Sequence, residues 1–329
     1  MTRIMVVGPA HSDSFAENVA QALVHMGHDV DVAGPPRKLR AAGRLGNVAE
    51  VLLDKMPRQD SFLQRHLLER QRAFRPDLVL TLDRRMTPSL VHQLKQNGAR
   101  VALWFPDAVS NLGRHDVFIA GYDHIFLKTP ALVRQLRTIH GLPVSYLPEA
   151  CNPDWHRPQG PYGTREAIVV AGNVHPTRAL LLDRMIRAGL PVEIYGPPLP
   201  SWIGFPAVRA AHTGIDIRYL HKAQVFRSAR IVLNNLHPAE FSGVNCRLFE
   251  ATGSGAVVLT ERREGLEELF EIGREVVTFD SFDELVEQSH SLLGDSEAAR
   301  ATADAAAARS HRDHRYDLRL ERLLGVLGF

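Results

Sequence analysis

The chain has 329 residues, a hydrophobic fraction of 45% and a formal charge of +2. That length suits two domains, the composition can fill two cores, and the near-neutral balance argues against nucleic acid as a partner by bulk electrostatics. No apolar run reaches the roughly 20 residues of a membrane span, MTRIMVVGPA lacks the apolar core of a signal peptide, and Cys151 and Cys246 fit neither a metal pattern nor a disulfide framework. A cytoplasmic enzyme is the expectation.

RIMVV (3–7) reads as a first strand, ended by Gly8-Pro9. Residues 14–26 carry apolar positions at Phe15, Val19, Leu23 and Met26, a helical stripe. DVDVAG (29–34), DLVLTLD (77–83), RVALWFPD (100–107), HIFLK (124–128) and VSYLP (144–148) are further strands, with helices near 60–74, 87–97 and 130–140. Continuous apolar strands alternating with helices predict a parallel sheet covered on both faces.

The alternation breaks over 150–165, where ACNPDWHRPQGPYG reads as a linker. It restarts with AIVVAG (167–172), a helix at 176–188, VEIYG (192–196), IVLNNL (231–236), AVVLT (256–260) and EVVTF (275–279). Two helices close the chain, the alanine-rich 296–309 and YDLRLERLLGVLGF. The fold class expected is α/β, with two Rossmann-like doubly wound domains facing a cleft. Their bounds are 1–155 and 156–310, with 311–329 a terminal helix crossing back to the first. In such sheets ligands bind at the carboxyl ends of the strands.

FSGVNCRLFEATGSGAVVLTE (241–261) carries the chemistry. A helix is expected to start near Ser242-Gly243-Val244, with Ser242 as its cap and Gly243 letting a ligand approach the backbone. Free amides at a helix start suit a phosphate. Arg247 and Glu250, three apart, share one face, while Leu248 and Phe249 turn to the core. A carboxylate there can accept from two ribose hydroxyls, and an arginine can pair with a diphosphate. Gly253 and Gly255 would end the helix. The competing reading is an exposed ion pair of little consequence.

NCRLFEATGSGAVVLTE resembles the C-terminal signature of glycosyltransferases with the two-domain GT-B fold. The likeness is greatest to the CgeB-like (spore-protein-like) group and the retaining group-1 enzymes. SYLPEACNPDWHRP, IVVAGNVHPTR, PVEIYG, ARIVLNNL, GLEELFEIGREVVTF and HRYDLRLERLL follow in the order that family shows, so the resemblance covers most of the chain. It implies a nucleoside-diphosphate sugar as donor, no cofactor and no metal. Glu250 would hold the ribose. Arg178, in the loop Gly172-Asn173-Val174-His175-Pro176-Thr177 and just beyond it, would offset the diphosphate with Arg247 and the Gly243 and Val244 amides, and backbone at Gly196 would frame the base. Where the retaining group has an earlier glutamate, this chain has Ser242.

On the acceptor side, His11 and Ser12 follow the first strand, and a histidine there is the general base in the inverting branch of the fold. Asp107 resembles an acidic position of the CgeB-like group, and Asp83 ends the third strand; either could orient His11 or contact the acceptor. Asp29-Val30-Asp31 spells a metal-binding D-x-D, yet it opens a strand and reads as structural. Gly8-Pro9-Ala10 is no dinucleotide fingerprint. The histidine pairs 25/28 and 311/314 read as solvated helix ends. A glycosyltransferase is therefore expected, with a non-catalytic relative of the fold or a sugar-nucleotide epimerase as alternatives. The acceptor stays unidentified; modified nucleic acid is left open by the basic helices 64–75 and 309–322 but is not favoured.

Overall fold

The computed structural model describes residues 1–34, 57–83, 86–108 and 116–329. The chain folds as two compact units, Met1–Leu147 with Leu320–Phe329, and Pro148–Arg319.

The first unit is built on strands β1 (Arg3–Val7), β2 (Asp29–Ala33), β3 (Leu78–Thr81), β4 (Arg100–Phe105), β5 (His124–Leu127) and β6 (Val144–Tyr146). They pair in parallel in the order β2-β1-β3-β4-β5-β6. Helices α1 (Phe15–His25), α2 (Pro57–Phe74), α3 (Pro88–Gln96) and α4 (Pro130–Thr138) alternate with the strands. Runs such as Ile4–Val7 and Leu78–Leu80 are fully buried, as a sheet covered on both faces requires. Ser14 caps α1 by accepting from the Glu17 N–H, and Thr87 caps α3, with Pro88 fixing its first turn. The D-x-D aspartates lie on the edge strand, where Asp29 pairs with Arg3 and Asp31 with Arg70. The chain leaves β1 for β2 on one side and β3 on the other, so the loops after β1 and β3 flank the switch point of this sheet.

The second unit repeats the plan. Its strands are β7 (Arg165–Ala171), β8 (Val192–Tyr195), β9 (Ala229–Asn234), β10 (Val258–Glu261) and β11 (Val277–Phe279), all parallel, in the order β11-β10-β9-β7-β8. Its helices are α5 (Pro176–Arg187), α6 (Pro206–Ala211), α7 (Tyr219–Ser228), α8 (Cys246–Gly253), α9 (Phe282–Gly294) and α10 (Ser296–Asp313); a last helix, α11 (Tyr316–Leu327), starts in this unit and belongs to the first from Leu320 on. Ile168, Val170, Ile231 and Leu233 enter one core, and Val169, Ala171, Val232 and Val258 the opposite one, by strand alternation. The switch point here lies between β7 and β9.

Three expectations change. The linker residues Ala150, Cys151, Asn152 and His156 are buried in the second unit, and Cys151 bridges to Arg315. The alanine-rich helix runs on to Asp313; its small side chains at 299, 303 and 306 are fully buried, and Ser310 donates to Thr252 at 2.7 Å. His311 and His314 are not solvated ends. The first meets the Gly253 carbonyl at 2.8 Å, and the second is buried against Phe249 and Phe270 with its Nε2 on the Leu269 carbonyl at 2.7 Å. Burial lowers the His314 pKa to about 4, opposed by its bond to Leu269.

Candidate donor site

At the second unit's switch point, β7 ends at Gly172, whose φ of +99° falls in the region that favours glycine. The turn that follows leads to His175, which caps α5 by accepting from the Arg178 N–H at 3.2 Å. Burial first, then Arg178 and His237, lower the His175 pKa to about 4, so its imidazole is neutral and free to accept. Its ring packs edge-on against His237, at 4.8 Å between centroids.

Arg178 lies in the first turn of α5, where the helix dipole disfavours a cation, and is nonetheless buried. Three bonds hold its guanidinium: Nε to Asn235 Oδ1 at 2.7 Å, Nη2 to the Asn235 carbonyl at 2.8 Å, and Nη1 to the Asn173 carbonyl at 2.6 Å. All three acceptors are uncharged. Burial pushes its pKa down to about 9 and neighbouring Arg247 pushes the same way, against weaker opposition from Glu261 and Glu240.

Arg247, in the first turn of α8, lies over Gly172. A side-chain carbon added at Gly172 would stand 2.6 Å from its Nη2. Its Nε is buried without a hydrogen-bond partner. Among the described residues no carboxylate lies within ion-pairing distance of Arg178 or Arg247. Two guanidinium groups are thus gathered at a strand-end glycine with no carboxylate in ion-pairing distance among the described residues, an arrangement that suits a bound anion.

Glu250 is on the same helix but is engaged differently. Its carboxylate is buried and ion-paired with Lys222 Nζ at 2.8 Å, the two side chains being 10% and 8% exposed. Burial alone would raise its pKa; the Lys222 ammonium, with Arg247 on the same helix, outweighs that and holds the carboxyl well below the usual carboxylate range. His156 accepts the Asn152 N–H on Nδ1 at 3.0 Å, and burial, with Lys222 beside it, lowers its pKa to about 3. Glu250 is therefore an anion facing a cation and a neutral imidazole.

The helix start needs correction. Helix α8 begins at Cys246, and Asn245 is its cap, accepting from the Leu248 N–H. Ser242 lies upstream, buried, with its Oγ unpartnered among the described residues. Gly243 has a φ of +81°, but its N–H donates to the Glu264 carbonyl at 3.0 Å and is not available to a ligand. Val244 is buried in the core cluster behind α8 with Leu248 and Phe249. Gly196 packs its α-carbon against the Gly172 carbonyl; a side chain there would meet that oxygen at 2.6 Å. The Asn173 side chain is exposed.

In the first unit, the loops after β1, β3 and β4 lie at one edge of adjacent parallel strands, and they carry His11 and Ser12, Asp83, and Asp107 respectively. His11 is exposed, its Nδ1 3.3 Å from the Ser12 carbonyl. Asp83 is buried, its N–H donating to Thr81 Oγ1. Asp107 is exposed and accepts the Ala108 N–H at 2.7 Å.

Sequence reasoning missed Lys222, Asn235 and His156. A signal existed for the first: Lys222 falls on the apolar stripe of α7 with Val225 and Phe226, where a charge needs a buried partner. The asparagine and the histidine carry no periodicity that marks them.

Residues 177–325 match the model of a family described as glycosyl transferase-like. No curated protein matches the chain by sequence. Among solved structures, the chain is similar to the sucrose-phosphate synthase of Thermosynechococcus elongatus, with a TM-score of 0.72 at 14% identity over 99% of both chains. It is similar to Anabaena HepE, solved with UDP-glucose, with a TM-score of 0.69 at 13% identity over 99% of both. A glycosyltransferase of Rickettsia africae gives a TM-score of 0.66 at 12% identity, again over 99% of both. Among the described residues no helix is long and apolar enough to cross a membrane. The chain thus has the GT-B fold of two Rossmann-like units, and its segment 177–325 matches the glycosyl transferase-like family model.

Proposed function

We propose that this protein is a metal-independent glycosyltransferase that moves a hexose from a nucleoside-diphosphate sugar to an acceptor hydroxyl. One observation carries the reading: Arg178 and Arg247 converge beside the strand-end glycine of the second unit's switch point, with no carboxylate in ion-pairing distance among the described residues. When the bond from the anomeric carbon to the diphosphate breaks, the diphosphate leaves with the electron pair. Fixed guanidinium groups are placed to offset that growing charge without reorganising. They supply the compensation for which other transferases use a divalent cation, so chelation of metals should leave turnover unchanged.

Glu250 accepts from the ribose hydroxyls and so sets the position of the nucleotide; backbone at Gly196 frames the base. The family match over 177–325 includes Arg178, Gly196, Lys222, Asn235, Arg247 and Glu250. The printed donor of the HepE structure, UDP-glucose, makes UDP the first nucleotide to try. The first unit receives the acceptor through His11, Ser12, Asp83 and Asp107. We favour retention of configuration, on the likeness of 241–261 to the retaining enzymes, the acceptor proton then passing to the departing diphosphate. Inversion would send that proton to His11 instead, and His11→Ala would abolish turnover. The use of a nucleotide-sugar donor favours a cytoplasmic reaction.

The test is calorimetry of UDP, GDP and dTDP with the wild-type chain and with Glu250→Gln. Charged hydrogen bonds of this kind are worth about 1.5–3 kcal/mol, so the variant should bind about ten- to a hundredfold more weakly. Equal affinity in the two proteins would remove the ribose assignment.

A further inference from the structure

We propose that Lys222 is a positioning residue for the nucleotide, holding the Glu250 carboxylate ionised and in one orientation so that it can accept from a ribose diol. This rests on the donor-site reading above and adds to it a residue on a different helix.

The geometry is direct. Lys222 enters from the first turn of α7 and Glu250 from α8, and their charged atoms meet at 2.8 Å with both side chains at least nine-tenths buried. A carboxylate at that depth without a cation takes up a proton. A neutral carboxyl has one oxygen turned donor, and two ribose hydroxyls seeking acceptors would then compete for one oxygen. Within the second unit, the other groups that face Glu250 cannot replace Lys222. His156, from the segment after β6, is neutral in this burial. Arg247, on the same helix, lies over Gly172. Cys246, half-buried, and Tyr316, buried, are acids whose ionisation is disfavoured by desolvation and by Glu149 and Glu250. Among the described residues Lys222 is the one cation within ion-pairing distance of Glu250. The pairing also fixes orientation, because a lysine contact on one oxygen leaves the carboxylate plane defined while the second oxygen stays open to accept.

The experiment uses the full chain as wild type, Lys222→Met, Lys222→Arg and the double variant Lys222→Met/Glu250→Gln. UDP affinity is measured by calorimetry between about pH 5.5 and about pH 8.5, and the infrared carbonyl band of a protonated carboxylic acid is followed over the same range. Wild type and Lys222→Arg should share one pH profile of affinity, set by the titration of the UDP terminal phosphate at about pH 6, and show no such band. Lys222→Met should gain the band at low pH, absent from the double variant, and its loss of UDP affinity relative to wild type should be about tenfold greater at the acid end than at the alkaline end. A Lys222→Met that loses affinity equally at every pH, or never shows the band, overturns the proposal. If wild type binds neither UDP, GDP nor dTDP, the ribose reading fails by itself. The band then still decides whether Lys222 holds Glu250 ionised. Should Lys222→Met fail to fold, the double variant, which leaves no buried charge unpaired, and Lys222→Arg carry the comparison.

Discussion

A guanidinium can lie flat on a backbone only where that backbone bears no side chain. Gly172 meets this need for Arg247, and its positive φ would strain any other residue as well. Gly172→Ala should therefore displace Arg247 while leaving every charge in place, and weaken diphosphate binding about tenfold in a UDP titration. Uridine, which has no phosphate, should bind the variant and the wild type alike; an equal loss for both ligands would show that the glycine supports the fold and not the anion site. Arg178 makes three bonds in three directions, which a lysine cannot reproduce. Of this chemistry, Arg247 and Glu250 were legible in the sequence, since a spacing of three on a short helix ahead of a strand is a local pattern. Their division of labour was not legible. It depends on Gly172 and Lys222, which neighbour them only through the strand order and the packing of α7 on α8.

At the scale of elements, the strands were read well because a strand buried on both faces leaves an unbroken apolar run, and little else does. Ile4–Val7, Leu78–Leu80 and Ile231–Leu233 are cases of this. Helix starts were read less well. Ser242 and Asn245 are both competent caps, and the choice was made by tertiary contacts: Gly243 is drawn to the Glu264 carbonyl, so the chain bends at Ser242-Gly243 and turns helical only after Asn245. Asn245→Ala should cost about 1 kcal/mol in urea unfolding, whereas Ser242→Ala, which removes a buried hydroxyl with no partner, should be neutral or slightly stabilising. The reverse ranking would restore Ser242 as the cap. The segment 150–165 misled for a related reason. Its Pro, Gly and Asn content describes turns, and turns such as Asn152–His156 can be packed as tightly as a helix.

For the whole molecule, buried neutral histidines link stability to pH. His156 and His314 have folded pKa values of about 3 and about 4, below the ordinary 6.5. A base whose pKa falls on folding contributes stability that is complete above its unfolded pKa. That stability is lost as pH drops from about 6.5 toward the folded value, because the unfolded chain then binds the extra protons. The slope is at most about 1.4 kcal/mol per pH unit for each histidine. Unfolding midpoints should therefore fall steadily between about pH 6.5 and about pH 4, and His314→Gln should flatten part of that decline. A profile that is flat over this interval would place both imidazoles in contact with water.

The first unit is closed by residues that follow the second unit in the chain. Leu320, Leu323, Leu324 and Leu327 of α11 are buried, and Phe329 lies under the Arg100 guanidinium at 5.5 Å. On a ribosome, the amino-terminal sheet emerges long before the strip of leucines that covers part of it. That lobe must wait, incompletely covered, until synthesis of the other lobe has finished. A stop codon placed just before Leu320 would thus injure the half of the protein made first, and a nascent chain should stay sensitive to protease in its first unit until α11 is released.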